Sequence, residues 1–207
     1  MPISSSNNLI IARKNEIIDA CRELYKTKSF REITIKDIGA VTSFTRTSIY
    51  NYFETKEEIF LAMHQKEYEL WSEELGKIMD ENDCMSADEF ADALAKSLEH
   101  RELLLKLMSM NHYDMEENSR PEMLLEFKRA YGQSIEMVSK CLKKFFPKLS
   151  KAKINQFIYI FFPFMFGIYP YTEVTDKQRT AMKQAGIKFV YQSIYEITCM
   201  CIKALLI

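Results

Sequence analysis

The chain has 207 residues, 47% hydrophobic and 28% charged, which gives enough length for a sizeable core and excludes wholesale disorder. With only 5 Gly and 5 Pro, it lacks the turn residues that a sandwich, a barrel or a Gly-rich nucleotide fold consumes. The formal net charge of −1, from 28 Lys+Arg and 29 Asp+Glu, excludes a protein held to nucleic acid by bulk charge, although the first 66 residues carry a small basic excess and the rest an acidic one.

Hydrophobic periodicity predicts an all-α chain of about nine helices. In residues 9–28, Ile17, Ile18, Cys21, Leu24 and Tyr25 recur at helical spacing on one face. Thr34 caps a short helix through Val41, with Asp37 as an acidic echo of a capping box, and Ile35 and Ile38 point inward. Thr42-Ser43-Phe44 reads as a turn, and Thr45 caps a third short helix through about Asn51. Short helices gain little from propensity alone. These two must be held by packing of Ile35, Ile38, Phe44, Ile49 and Phe53, the arrangement of a helix-turn-helix. Thr55 with Glu58 fits a capping box at the start of a long helix, Lys56 to about Met79. Ser86 with Glu89 opens the next, to about Leu98, and another runs from about Arg101 to Met110. Asn111–Arg120 is polar and reads as a loop. Pro121 opens a strongly striped helix that Pro147 stops. Ser150 begins a helix that ends at Pro170, with Pro163 as a site for a kink. The last helix is read from Asp176 to Ala204, with Ile187, Val190, Tyr191, Ile194, Thr198, Cys201 and Leu205 on one side. This divides the chain into an N-terminal domain at 9–55 and a helical domain at 56–207.

No catalytic constellation is present in the sequence. His64, His100 and His112 are isolated, no metal-ligand spacing occurs, and neither a P-loop nor GxSxG appears. Glu57-Glu58 and Glu73-Glu74 are adjacent pairs, which point apart on a helix and read as solvated-face charges. No enzyme activity, cofactor or metal is expected. The five cysteines, Cys21, Cys84, Cys141, Cys199 and Cys201, are odd in number and show no CxxC spacing, so they read as reduced core residues. Residues Met1–Asn8 lack a secretory apolar core. The longest apolar run, residues 157–169, falls short of the ~20 residues needed to cross a bilayer. A cytoplasmic protein without a membrane segment is expected.

The informative stretch is residues 34–60, TIKDIGAVTSFTRTSIYNYFETKEEIF. Its third helix carries Arg46, Thr47, Ser48 and Asn51, which can hydrogen-bond and are compact enough to approach base edges. Tyr50 and Tyr52 offer phenols, and Lys56 sits at a helix N-terminus, groups that suit phosphate. Arg46 and Lys36 can add further phosphate contacts.

This stretch resembles the TetR family of bacterial transcriptional regulators, with support from about residue 12 to 66 and a helical remainder of suitable size. The resemblance implies that the third helix enters the major groove of double-stranded DNA. Thr45, Arg46, Thr47, Ser48, Tyr50, Asn51 and Tyr52 would supply most contacts there, and Lys56 would meet a phosphate. Ser43 stands where the family often has glycine, and Phe44 where a smaller aliphatic is usual, so the angle of the third helix can differ. The resemblance also implies a C-terminal ligand-binding and dimerisation domain, a homodimer on a palindromic operator, and release or modulation by a small effector. Repression is the commoner outcome in such a family.

The residues themselves locate that second part only broadly. Phe157, Tyr159, Phe161, Phe162, Phe164, Phe166, Tyr169 and Tyr171 are too many for one helical face. One side can pack on the core and the other on a partner subunit, which makes the helices near 151–169 and 176–204 the dimer candidates. Trp71, Met108, Met110, Tyr113, Phe127, Tyr131 and Phe162 are candidates to line a pocket for an apolar or amphipathic effector of unknown identity. The polar-aromatic run His112–Glu117 is a candidate gate. Two alternatives stay open on sequence: a helical protein-interaction module that keeps the fold without binding DNA, and an all-helical enzyme acting on a hydrophobic substrate.

Overall fold

A computed structural model describes residues 3–110 and 112–207, with the side chains of residues 3–7 and of His112 outside the description. The described residues form eleven α-helices and no strand. In chain order these are α1 (Ile3–Tyr25), α2 (Ile35–Ala40), α3 (Arg46–Ile49), α4 (Lys56–Glu81), α5 (Ala87–Glu99) and α6 (Glu102–Met108), then α7 (His112–Glu117), α8 (Pro121–Phe145), α9 (Lys151–Thr172), α10 (Asp176–Gln184) and α11 (Ile194–Leu206). The chain divides into two compact units. The first comprises Met1–Lys66 with Asn111–Arg129, and the second Glu67–Met110 with Ala130–Ile207.

In the first unit, Thr34 and Asp37 form a reciprocal capping box: the Asp37 N–H donates to Thr34 Oγ1 at 3.2 Å and the Thr34 N–H to Asp37 Oδ2 at 2.9 Å. Such a cap contributes about 1 kcal/mol, a large share of what a six-residue helix can muster. Ile17, Ile33, Ile38, Ile49, Phe53, Ile59 and Phe60 are fully buried. Tyr25 and Phe30 meet Phe60 edge-on at 5.0 and 4.8 Å. Ile35 and Phe44, expected in that core, are half-buried at its margin.

In the second unit, α11 packs on α5 and α9. The buried Trp71 donates its indole N–H to Ser97 Oγ at 3.0 Å, and Ser97 passes a bond to the Leu94 carbonyl. Tyr195 on α11 donates to Asp92 on α5 at 2.8 Å.

Three sequence readings are corrected. The 111–120 segment is not all loop, because α7 occupies six residues of it. Met115 is that helix's buried anchor, and Asn118 and Ser119 return side-chain bonds to the Asp114 and Met115 carbonyls. Among the described side chains of this helix only Met115 is buried, which leaves no periodicity to read. The last helix is two. Gly186, with φ +70°, closes α10, and the Ile187 N–H donates to the Met182 carbonyl. Ile187 and Val190 therefore lie outside any helix and are exposed, while α11 begins afresh behind a Ser193–Glu196 capping box. Finally, α9 does not stop at Pro170 but runs on to Thr172 with Pro163 and Pro170 inside it. Both prolines are exposed, on the side where a lost backbone bond is replaced by solvent. Among the described residues no single helix is long and apolar enough to cross a membrane.

Candidate nucleic-acid interface

The helix pair α2 and α3 approaches closely at Gly39. A Cβ there would lie 3.4 Å from the Arg46 nitrogen and 3.5 Å from the Phe44 carbonyl oxygen, so a longer side chain would push α3 away. The intervening turn is tied rather than strained. Phe44 N–H donates to Thr42 Oγ1 at 3.3 Å, and Ser43 N–H donates to Glu16 Oε1 on α1 at 2.8 Å. That backbone N–H, with the Ser43 side chain, holds the Glu16 carboxyl below its usual pKa. No described non-glycine residue has a positive φ, so Ser43 makes this turn without the backbone conformation that would demand glycine.

Helix α3 has only four residues. Thr45 caps it, accepting the Ser48 N–H at 3.2 Å. Ile49 is its buried underside. Thr45, Arg46, Thr47, Tyr50 and Asn51 are exposed, and Ser48 and Tyr52 are half-buried. Arg46 stacks its guanidinium 5.7 Å from the Tyr50 ring centre and donates to the Tyr50 hydroxyl at 3.2 Å. Tyr52 is held from α1, where Arg13 donates to its hydroxyl at 3.1 Å, and its ring meets Phe44 edge-on. Beside α3 opens a cleft of about 410 Å³ whose wall includes Lys36, Arg46, Tyr50 and Lys56. Lys36 is exposed. The Lys56 ammonium donates to the Phe30 and Ile33 carbonyls at 2.8 and 3.3 Å and lies 4.1 Å from the Phe30 ring centre. It thus fastens the α1–α2 connection to the start of α4.

Two residues important to this surface were not visible as such in the sequence. Glu58 is completely buried rather than on a solvated face. It accepts the Glu54 N–H at 2.8 Å, the Arg120 N–H at 3.0 Å, and a guanidinium fork from Arg120 at 2.7 and 2.8 Å. Burial alone would raise the Glu58 pKa, but the Arg120 bonds and two backbone N–H groups outweigh it, and the net direction is down. The Thr55 hydroxyl caps α4 as expected, accepting the Glu58 N–H, yet the Glu58 carboxylate turns to Glu54 and Arg120 instead of completing the box. Arg120 arrives from 62 residues further along, a partner that no local pattern announces.

The seven pocket candidates are divided between the units. In the second unit, Tyr131 and Trp71 both meet the Phe162 ring, at 5.7 and 6.0 Å, and Tyr68 meets Tyr131 at 5.5 Å. Burial pushes the Tyr68 and Tyr131 hydroxyls up in pKa. Met108 is buried and Met110 half-buried. Phe127 lies in the first unit, buried against the His64 ring at 5.0 Å. Tyr113, also in the first unit, is 84% exposed. Of the His112–Glu117 run, the His112 side chain lies outside the described residues. On α9 and α11, Tyr159, Ile160, Tyr171 and Met200 are exposed on the single chain. No group of three or more metal-ligating side chains occurs among the described residues.

Residues 17–63 match the family described as bacterial regulatory proteins, tetR family, and residues 65–191 match the tetracyclin repressor-like C-terminal domain. Over 48 residues the chain is 38% identical to the HTH-type transcriptional regulator YfiR of Bacillus subtilis (strain 168), which spans 23% of either protein. Solved structures resemble it over nearly its whole length. The fatty acid degradation regulator FadR of Bacillus halodurans has 15% identity and a TM-score of 0.58, over 93% of this chain and 97% of that one. A TetR-family transcriptional regulator from Mesorhizobium loti gives 13% and 0.62, over 95% and 96%. Thermus thermophilus FadR, in complex with lauroyl-CoA, gives 17% and 0.55, over 93% of each. At these identities the likeness is one of fold.

Proposed function

Because the chain belongs to the TetR family of bacterial regulatory proteins, we propose that it is a DNA-binding transcriptional repressor that acts as a homodimer on a palindromic operator and is modulated by a small apolar or amphipathic effector. The observation that carries this reading is the polar surface of α3. Thr45, Arg46, Thr47, Tyr50 and Asn51 stand exposed above a fully buried Ile49, beside a cleft walled by Lys36, Arg46 and Lys56. Compact polar side chains on a rigid apolar underside suit base edges, and flanking cations suit phosphates. Ser48 and Tyr52 complete the reading surface, and the third N–H of the Lys56 ammonium serves a phosphate while the other two hold the Phe30 and Ile33 carbonyls.

An isologous two-fold interface through α9 and α11, where Tyr159, Ile160, Tyr171 and Met200 stand exposed, would place two α3 helices about one helical turn, ~34 Å, apart in successive major grooves. The Trp71–Phe162–Tyr131 cluster is the apolar region offered to the effector. Lauroyl-CoA, which Thermus thermophilus FadR binds, is the first probe. The effector shifts the dimer toward a spacing that does not fit DNA, by no more than its differential affinity for the two states. Family membership supports a regulator rather than an enzyme.

The experiment is a selection from random duplex DNA, repeated with Tyr50→Ala and Lys56→Ala. Enriched inverted repeats that vanish with either substitution are the expected result. No enrichment at low salt would remove the DNA-binding reading and favour a protein-interaction module.

A further inference from the structure

The exit from α3 is held from outside the helix-turn-helix. Downstream of the exposed residues, the Tyr52 carbonyl accepts a bond from Arg120 Nη2 at 3.2 Å. The same guanidinium forks onto the buried Glu58 carboxylate, which in turn accepts the Glu54 N–H. A second tie joins the same two segments, with Thr55 Oγ1 donating to the Asn118 carbonyl at 2.9 Å. Tyr52 is therefore fixed at both ends, its carbonyl by Arg120 and its hydroxyl by Arg13. Arg120 spends its fork on Glu58 and its remaining amine on Glu54 and Glu122, at 3.5 and 3.8 Å. Three carboxylates surround this one cation, which leaves it no charge to offer a phosphate. Both flanks of residues 111–129 belong to the second unit, so the chain leaves that unit to supply this clamp and then returns to it.

We infer that Arg120, through Glu58 and the Tyr52 carbonyl, is a positioning residue for DNA recognition: it never touches the nucleic acid, yet it fixes the angle at which the α3 surface is presented. This rests on the DNA-binding reading above and adds to it a determinant of specificity outside the helix-turn-helix. A residue of this kind acts on sequence-specific binding, which depends on how side chains meet base edges, and leaves bulk electrostatic binding alone. A direct phosphate contact would do the opposite, weakening all sequences alike and lowering the salt slope by about one.

The test uses the full chain and the duplex enriched by selection. Arg120→Ala, Arg120→Lys and Glu58→Gln are compared with the surface control Arg129→Ala for binding to that duplex and to a scrambled one over a salt series. Melting is followed by circular dichroism, and affinities are read below each variant's transition. The expected result is a loss of tenfold or more for the selected duplex with Arg120→Ala and an intermediate loss with Arg120→Lys, which keeps the charge but not the fork. Scrambled DNA should be bound within about twofold of the native chain with the salt slope unchanged. If Arg120→Ala does not fold, Arg120→Lys and Glu58→Gln carry the comparison, since both nearly conserve volume. Equal losses for both duplexes with a smaller slope would make Arg120 a phosphate contact and overturn the inference. Native affinity in a folded variant would overturn it as well. Failure of the native chain to select any sequence would instead remove the DNA-binding reading, and this inference with it.

Discussion

Substituting Ile49 tests whether α3 is held by packing rather than by its own sequence. A helix of four residues cannot persist on propensity, since nucleation costs more than so few backbone bonds return. Its Thr45 cap contributes about 1 kcal/mol. Ile49 is 0% exposed beneath the exposed polar residues, and Ile38 and Phe53 of the same helix-turn-helix segment are equally buried. Removing one methylene by Ile49→Val should cost about 0.5–1.5 kcal/mol, and Ile49→Ala about 2–5 kcal/mol, the spread reflecting how far the site collapses. Gly39 limits that collapse, because a Cβ there would already lie 3.6 Å from the Ile49 Cδ1 atom and there is little side chain on α2 to fill the gap. Urea denaturation of native, Val and Ala forms gives the two differences directly, with m-values checking that the folded state is unchanged. Binding to the selected duplex, measured well below each midpoint, should fall in the same order, as the support under Arg46 and Tyr50 loosens. A loss below about 0.5 kcal/mol for Ile49→Ala would refute the reasoning, because α3 would then be held by something other than its underside.

Other consequences are equally accessible. Ser97→Ala should cost about 1–3 kcal/mol by leaving the buried Trp71 indole N–H without its acceptor; Trp71 is the single tryptophan, so its emission should shift in the folded state, and an unshifted spectrum would argue against that bond. The net lowering of the Glu58 pKa means that its contribution to stability is present above the ordinary carboxylate range and is lost as pH falls through the depressed folded value. Glu58→Gln should therefore flatten the acid limb of a stability-against-pH curve; an unaltered limb would show that other carboxylates dominate it. Tyr159→Glu with Ile160→Glu should convert a dimer to a monomer in sedimentation velocity while leaving helical content intact, since both side chains are exposed on the single chain; a dimer that survives both charges would place the interface elsewhere.

What depends on neighbours along the chain was legible in the residues alone. Capping boxes at Thr34–Asp37 and Ser86–Glu89 were readable because all their donors and acceptors lie within four residues. The helix-turn-helix was readable because its underside, Ile38, Ile49 and Phe53, and its polar face fall within one short segment. Gly186 was a local stop signal too, but the apolar residues beyond it kept a helical spacing that masked it, although Ile187 and Val190 are in fact exposed. What long-range packing controls emerged with the folded chain. Glu58 and Arg120 are ordinary surface charges in any local window, yet they meet across 62 residues, where one loses its solvent and the other replaces it. Lys56 likewise carries a cation suited to phosphate, but the carbonyls of Phe30 and Ile33 take two of its donors. Local sequence fixes where a helix starts and which face is apolar; the partner of a charged side chain depends on which distant segment reaches it, and side-chain period carries no record of that.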